Sequence, residues 1–348
     1  MKFHHVCIEA LGHVVPERVV RSDELERQLR PLYGRLGRSV GRLEFMTGVR
    51  ERRFWPNGTP PSAPASVAGT RAIAAAGIEP EIIGCVVNAS VCRDFLEPST
   101  AVIVHRKLGL SAQALAFDVS NACLGFLNGL AIVANMIELD QIRCGLVVSA
   151  ECAEAFIENT IATLVGDNEP SSRRLKAAFP SLTIGSGAVA AVVVHEAISR
   201  NGHRLLGGSF ATASQHWELC RGGPHSGVVD ENAWSMETDA EKLKIEGCKL
   251  AAKAWDHGRE QLGWSNGDVD RVFCHQVGEA HRRLLLETLD LPVDKDFETF
   301  SFLGNTGSAS LPLGLALGIK GGFLVPGQKA ALLGIGSGIN CLCLGLDW

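Results

Sequence analysis

Three side chains far apart in the sequence supply a thiol, an imidazole and an amide: Cys123, His275 and Asn305. Brought together in space, they would form the kind of nucleophile set that single-cysteine enzymes use. Cys123 lies in Ser120-Asn121-Ala122-Cys123-Leu124-Gly125, where an apolar extended stretch turns into a helical pattern. The dipole and unpaired N–H groups of a helix start favour a thiolate and can bind a developing oxyanion. Its small neighbours leave room for a substrate carbonyl. Read alone, a cysteine is more often a buried structural residue. His275 ends an apolar strand, at the sheet edge where α/β folds bind ligands; its plainer reading is a core histidine. Asn305, in Gly304-Asn305-Thr306-Gly307, is by itself an ordinary turn and helix cap. Its functional reading is an amide donor beside His275, both aimed at one oxygen. The turn Gly336-Ser337-Gly338 offers backbone N–H donors opposite Cys123.

Other glycine motifs fail on context. Gly334-Ile335-Gly336-Ser337-Gly338 follows a strand too near the C-terminus to open a dinucleotide-binding unit. Gly185–Ala190 fits G-x-G-x-x-A but runs into a Val-rich strand, and Gly37–Gly41 matches the hydrolase elbow without a preceding strand.

The elements that must position these groups alternate. Continuous apolar runs at Ile82–Asn88, Cys144–Ser149, Gly187–Val194, Val272–Cys274 and Ala330–Gly336 predict buried strands. Helical patterns fall at Pro64–Ala76, Ser99–Leu108, Leu124–Leu139, Asp239–Leu262, Glu279–Leu289 and Ala309–Leu317. An α/β architecture follows. The two halves repeat one order: strand, helix, extended segment (Leu115–Val119, then Phe297–Phe302), turn, small-residue helix, strand. Duplication is the reading that order supports. It divides the chain into residues 1–195, carrying Cys123 and an insertion at about 153–180, and residues 196–348, carrying His275 and Asn305. Two-fold related helix starts would then bring the two turns together near the axis.

Composition sets the outer bounds. The chain has 348 residues and a net charge of −5 from 33 basic and 38 acidic side chains, which disfavours a nucleic-acid partner. Eleven cysteines without C-x-x-C spacing predict free thiols in a reducing, cytoplasmic setting. No apolar run reaches membrane-spanning length, and the N-terminal one is broken by Glu9 and His13 before it makes a signal core.

Together these residues resemble the thiolase superfamily, in its ketoacyl synthase III branch. Asn121-Ala122-Cys123-Leu124-Gly125-Phe126 is similar to the nucleophile turn, and His275-Gln276 to the start of the histidine motif. Gly304–Ser310 resembles the asparagine motif, and Thr47-Gly48-Val49-Arg50-Glu51-Arg52-Arg53 an N-terminal signature. Ser90–Thr100, Leu219-Cys220-Arg221-Gly222 and Leu332–Cys341 resemble the OleA-type thiolases in particular. The resemblance implies duplicated βαβαβαββ halves in five αβαβα layers, a homodimer, and acylation of Cys123. For the OleA type it implies head-to-head joining of two fatty acyl thioesters without decarboxylation, with Glu97 from the partner subunit as the base. Without it, Glu97 reads as a solvated loop carboxylate. No cofactor is expected beyond the acyl-coenzyme A or acyl-carrier-protein thioester itself. Two departures stand out. His275-Gln276-Val277-Gly278 lacks the Ala-Asn of the usual histidine motif, and the tryptophan and arginine that clamp coenzyme A before the Thr-Gly signature are missing. Coenzyme A contacts do not transfer, and the carrier stays open. The alternatives are a decarboxylative synthase using malonyl carrier protein, an acyltransferase to an alcohol or amine, and a silent scaffold.

Overall fold

Strand Gly187–His195 shows why the apolar runs are continuous. Ala188, Ala190, Val192 and Val194 pack into one core, whereas Val189, Ala191 and Val193 pack into another on the opposite face. A strand buried on both faces needs no polar alternation. The computed structural model describes residues 1–223 and 235–348.

In chain order the strands are β1 (Val6–Val14), β2 (Arg18–Arg21), β3 (Glu51–Phe54), β4 (Cys85–Asn88), β5 (Leu115–Asp118), β6 (Cys144–Glu151) and β7 (Gly187–His195). The second half adds β8 (Arg204–Thr212), β9 (Cys220–Gly223), β10 (Ser235–Thr238), β11 (Arg271–Cys274), β12 (Lys329–Gly336) and β13 (Asn340–Asp347). Nine of them join in the order β11-β12-β13-β8-β1-β7-β6-β4-β5.

That order contains the duplication. With helices Ser62–Ala76, Thr100–Leu108 and Gly125–Glu138 between them, β1, β4, β5, β6 and β7 form a βαβαβαββ unit. In the second half, β8, β11, β12 and β13 repeat the order of β1, β4, β6 and β7. The counterpart of β5 shrinks to one parallel bridge, Val272↔Asp296. The extension expected at Phe297–Phe302 is therefore corrected: Phe300–Leu303 is a short helix. Gln276 bends the chain there, because its side-chain oxygen accepts the Thr299 and Phe300 N–H groups at 2.7 and 3.1 Å.

Three cores define five layers. Helices Ser62–Ala76 and Thr100–Leu108 cover the outer face of the first half. Helices Ala240–Leu262 and Glu279–Thr288 cover that of the second. Between the halves lie Gly125–Glu138 and Ser310–Lys320, whose Leu127, Leu130, Leu313 and Leu315 meet Val87, Val147, Leu332 and Leu344. The expected insertion is a pair of helices, Glu154–Gly166 and Ser172–Leu182, packed with the N-terminal helices into a fourth core. All eleven cysteines are free thiols. Among the described residues, no helix is long and apolar enough to cross a membrane.

Close backbone approach locks the segment between helix Ser172–Leu182 and β7 to the short helix Phe300–Leu303. A Cβ on Gly185 would lie 1.9 Å from the Leu303 carbonyl oxygen. Gly185→Ala should lower stability by ~1–3 kcal/mol, read as a fall in Tm by circular dichroism. Gly34→Ala, inside the helix Arg30–Leu36 with no atom within 4 Å, should instead be neutral or stabilising. Equal effects at the two sites would refute the packing argument.

Candidate active site

Cys123 is presented by a strained turn. Ala122 has φ +45°, the left-handed region that a residue with a Cβ rarely adopts. The turn closes through Leu124 N–H to Asn121 O at 2.9 Å and Gly125 N–H to Ala122 O at 3.3 Å. Asn121 is tied to the helix by its amide donating to Asn128 Oδ1 at 2.8 Å. Helix Gly125–Glu138 starts directly behind it, as its small, apolar sequence predicts.

The other turns pack onto this one. A Cβ on Gly336, at the end of β12, would sit 3.4 Å from both Asn121 O and Leu124 N. That contact sets the Gly336-Ser337-Gly338 turn against the nucleophile turn; Gly338 (φ +96°) needs the left-handed conformation that glycine tolerates. Ser337 is held by its hydroxyl donating to Cys220 Sγ at 3.3 Å and by Asn340 Nδ2 donating to its carbonyl at 3.3 Å. On the other side, Ser308 Oγ accepts the Phe126 N–H at 2.8 Å, fastening the asparagine turn to the nucleophile helix.

Asn305 is fixed by its backbone, which bridges to Ile184. Its N–H donates to Thr183 O, and its carbonyl accepts from Gly185, both at 2.9 Å. Its side-chain oxygen accepts the Gly307 N–H at 3.0 Å. The amide nitrogen is thereby left to donate outward. His275 continues β11, with its N–H donating to Leu333 O at 3.0 Å, and its side chain is buried. Gln276 beside it is saturated: Nε2 donates to Phe297 O at 2.6 Å while Oε1 holds Thr299 and Phe300. One glutamine thus ties the histidine strand to the segment leading to Asn305.

Electrostatics departs from the sequence expectation. Burial, then the neighbouring Cys220 thiol and Glu151 carboxylate, push the Cys123 thiol up to about 12. Desolvation outweighs the helix start, and Cys123 rests as a thiol rather than the expected thiolate. Burial, then His281, push His275 down to about 3, so the imidazole is neutral. Its Nδ1 has no hydrogen-bond partner among the described residues. A neutral imidazole keeps one donor and one acceptor, suited to hydrogen-bonding a carbonyl oxygen.

Glu97 stands elsewhere. It is exposed on the loop between β4 and helix Thr100–Leu108, beside Phe95 and Leu96, themselves 59% and 82% exposed. No hydrogen bond or ion pair joins it to Cys123, His275 or Asn305 among the described residues. Sequence reasoning missed Glu151, which ends β6 and is buried beside the asparagine turn. Its signal was there: a carboxylate closing an otherwise uncharged strand. His281, pushed down to about 4 by burial and then Lys244, was also missed, and a histidine on a polar helix gives no such signal. No cluster of metal-ligating side chains occurs among the described residues.

Comparison with known proteins agrees with this arrangement. Residues 117–214 match the family model "3-Oxoacyl-[acyl-carrier-protein (ACP)] synthase III", and residues 260–348 match its C-terminal model. The chain is 41% identical to an acyl-CoA:acyl-CoA alkyltransferase of Shewanella oneidensis, with 100% of both chains covered. It is 36% identical to the protein of that name from Xanthomonas campestris, again over 100% of both. A crystal structure of Xanthomonas campestris OleA superposes with a TM-score of 0.94 at 35% identity, covering 100% of this chain and 98% of that one. A 3-oxoacyl-(acyl carrier protein) synthase III from Xanthomonas oryzae superposes equally well, at 0.94 and 36% identity over 100% of both. Full-length identity and a shared fold place this chain in the 3-oxoacyl-[acyl-carrier-protein] synthase III family of acyl-transferring condensing enzymes, alongside the OleA proteins.

Proposed function

We propose that the protein joins two fatty acyl thioesters by a non-decarboxylative Claisen condensation. The observation that carries this reading is the full-length similarity to acyl-CoA:acyl-CoA alkyltransferases, together with the packing of the asparagine turn on the cysteine helix and the tie from Gln276, next to His275, to the segment leading to Asn305. Solved variants of Xanthomonas campestris OleA replace a cysteine, a histidine and a glutamate, and the replaced glutamate and cysteine have the spacing that separates Glu97 from Cys123.

In the first half-reaction the Cys123 sulfur attacks an acyl thioester. The N–H groups of Cys123 and of the Gly336–Gly338 turn hold the tetrahedral oxyanion. The carrier thiol leaves with the proton that Cys123 gives up, and the acyl group stays on sulfur. In the second, Glu97 takes an α-proton from another acyl thioester, while neutral His275 and the Asn305 amide donate to its carbonyl oxygen as the enolate forms. The carbanion attacks the acyl carbonyl, the C–S bond breaks, and the proton held by Glu97 returns to the Cys123 sulfur. The product is a 2-alkyl-3-ketoacyl thioester. The α-proton is weakly acidic, so enolate stabilisation and a positioned carboxylate dominate the barrier. The balance needs no cofactor. Glu97 reaches a site only from a second subunit, and its loop is suited to that: Val91, Phe95 and Leu96 are exposed, and β5 beside it is an open sheet edge. A second reading, decarboxylative condensation with a malonyl thioester, draws on the equal superposition with the Xanthomonas oryzae synthase.

Three expected outcomes test this. Glu97→Gln keeps size and polarity but loses basicity. Intact-mass analysis should show Cys123 still acylated, whereas chromatography should show condensation reduced by ~10²–10⁴-fold. Undiminished product from two simple acyl thioesters would exclude Glu97 as the base, and unchanged turnover only with a malonyl thioester would favour the second reading. Light scattering should give a dimer of a 37.1 kDa chain; a concentration-independent monomer would remove the trans role of Glu97. Finally, a thiol titrating at about 12 should show no plateau in iodoacetamide alkylation of Cys123 between pH 6 and 9, the rate rising ~10-fold per unit. A plateau below pH 7 would mean a preformed thiolate.

A further inference from the structure

Glu151 is the buried acid that the mechanism above leaves unused. It ends β6 with 4% exposure, and its backbone carbonyl accepts the Trp55 indole N–H at 3.0 Å. Its carboxylate accepts from three backbone N–H groups and also from the Cys92 thiol. Oε1 accepts from Val91 at 2.9 Å and from Ser308 at 3.3 Å, and Oε2 accepts from Cys92 at 3.1 Å. Val91 and Cys92 open the loop that carries Glu97. Ser308 belongs to the turn that carries Asn305, and its hydroxyl accepts the Phe126 N–H at the start of the nucleophile helix. A Cβ on Gly307 would lie 3.2 Å from the carboxylate, a tight contact, and its φ of +55° favours glycine there.

We infer that Glu151 is a positioning residue for the condensation step, clamping the base-bearing loop and the asparagine turn of one protomer to a single carboxylate. Because Glu97 is proposed to serve the partner's site, the clamp sets two sites at once: its own enolate-binding turn and the base lent across the dimer. The inference rests on the proposed reaction and dimer.

A neutral core group could have filled this volume. Burial pushes the Glu151 carboxyl up, and the N–H groups of Val91, Cys92 and Ser308 oppose that shift by favouring the anion. Burial raises the thiols of Cys123, Cys92 and Cys152, and the Glu151 carboxylate adds to the rise. An anion that hinders ionisation of the nucleophile is tolerable only if its hydrogen bonds do something a neutral side chain cannot. Accepting from three converging N–H groups is such a task, since a glutamine would set its NH₂ against at least one of them.

Glu151→Gln separates positioning from mere packing, because its two effects have opposite signs. Loss of the negative charge should lower the Cys123 pKa and speed iodoacetamide alkylation at pH 8 several-fold. Loss of the clamp should cut condensation by ~10²-fold, the scale of a misplacement of about 1 Å, with acylation of Cys123 changed far less. Glu151→Asp, which keeps the charge but withdraws it by one CH₂, should lower condensation without speeding alkylation; it decides the matter if the glutamine variant does not fold. Acylation and condensation falling together in either folded variant, or both remaining within about 3-fold of wild type, would overturn the inference. Wild-type protein that makes no product from two acyl thioesters would refute the proposed reaction instead. The Glu151 variants would then be compared with a malonyl thioester, where retained acylation with lost condensation again supports the clamp and proportional loss overturns it.

Discussion

Ser308 Oγ accepting the Phe126 N–H at 2.8 Å is the contact on which the arrangement of the site depends. It joins the first turn of one central helix to the segment leading into the other, across the line where the two halves meet. A helix start has N–H groups without intrahelical partners, and burying one unsatisfied costs ~1–3 kcal/mol. The hydroxyl removes that cost and fixes the distance between the turns of Cys123 and Asn305. Little else fits there: a Cβ on Gly125 would come within 2.3 Å of Ala89 O and 3.1 Å of Ser308 Oγ. Close approach, a buried hydrogen bond and small residues form one constraint rather than three.

The duplicated topology makes such a contact available. Each half ends in the same pair of antiparallel strands, β6–β7 and β12–β13, with its inner helix on the shared face. Placing two equivalent helices between two sheets points their starts at one region. The halves have since diverged there: one turn carries a sulfur, the other an amide, and β11 adds the imidazole from the sheet edge. The second half has also given up its outermost strand for the Gln276-clamped bend.

Much of this was legible in the sequence, for physical reasons that differ by element. β7 and β12 announce themselves because both faces are buried, and the inner helices because small and apolar residues repeat at helical spacing. β1, β8 and β13 are less visible. β1 carries Glu9 and His13, and β8 carries Gly207 and Gly208 at positive φ where the N-terminus crosses it. Their pairing partners lie far away in the chain, so register could not be read locally. Cys123 and Asn305 stand out as candidates because small residues crowd their turns, and His275 because it closes an apolar strand. The protonation state of Cys123 was not legible: helix-start reasoning counts the dipole but not the desolvation of a thiol that the surrounding turns leave only partly exposed. Glu151 was overlooked because its meaning comes from three backbone N–H groups contributed by two distant segments.

A neutral thiol and a neutral imidazole at rest fit a condensation that begins with one acyl group and ends with a thiol restored. A permanent thiolate in a dry site would carry an uncompensated charge, which burial penalises heavily. A protonated His275 would do the same, and would also neutralise an enolate too strongly to let it attack. Neutral donors stabilise the enolate through hydrogen bonds that strengthen only as negative charge develops on oxygen. The buried acids of this region are held by donors: Glu151 by the N–H groups of Val91, Cys92 and Ser308, and Asp296, behind His275, by Arg282. The protein thus keeps a fixed charge where it organises loops and neutral groups where bonds are made. That division explains how a thiol held up to about 12 can still sit where the turns of both halves meet.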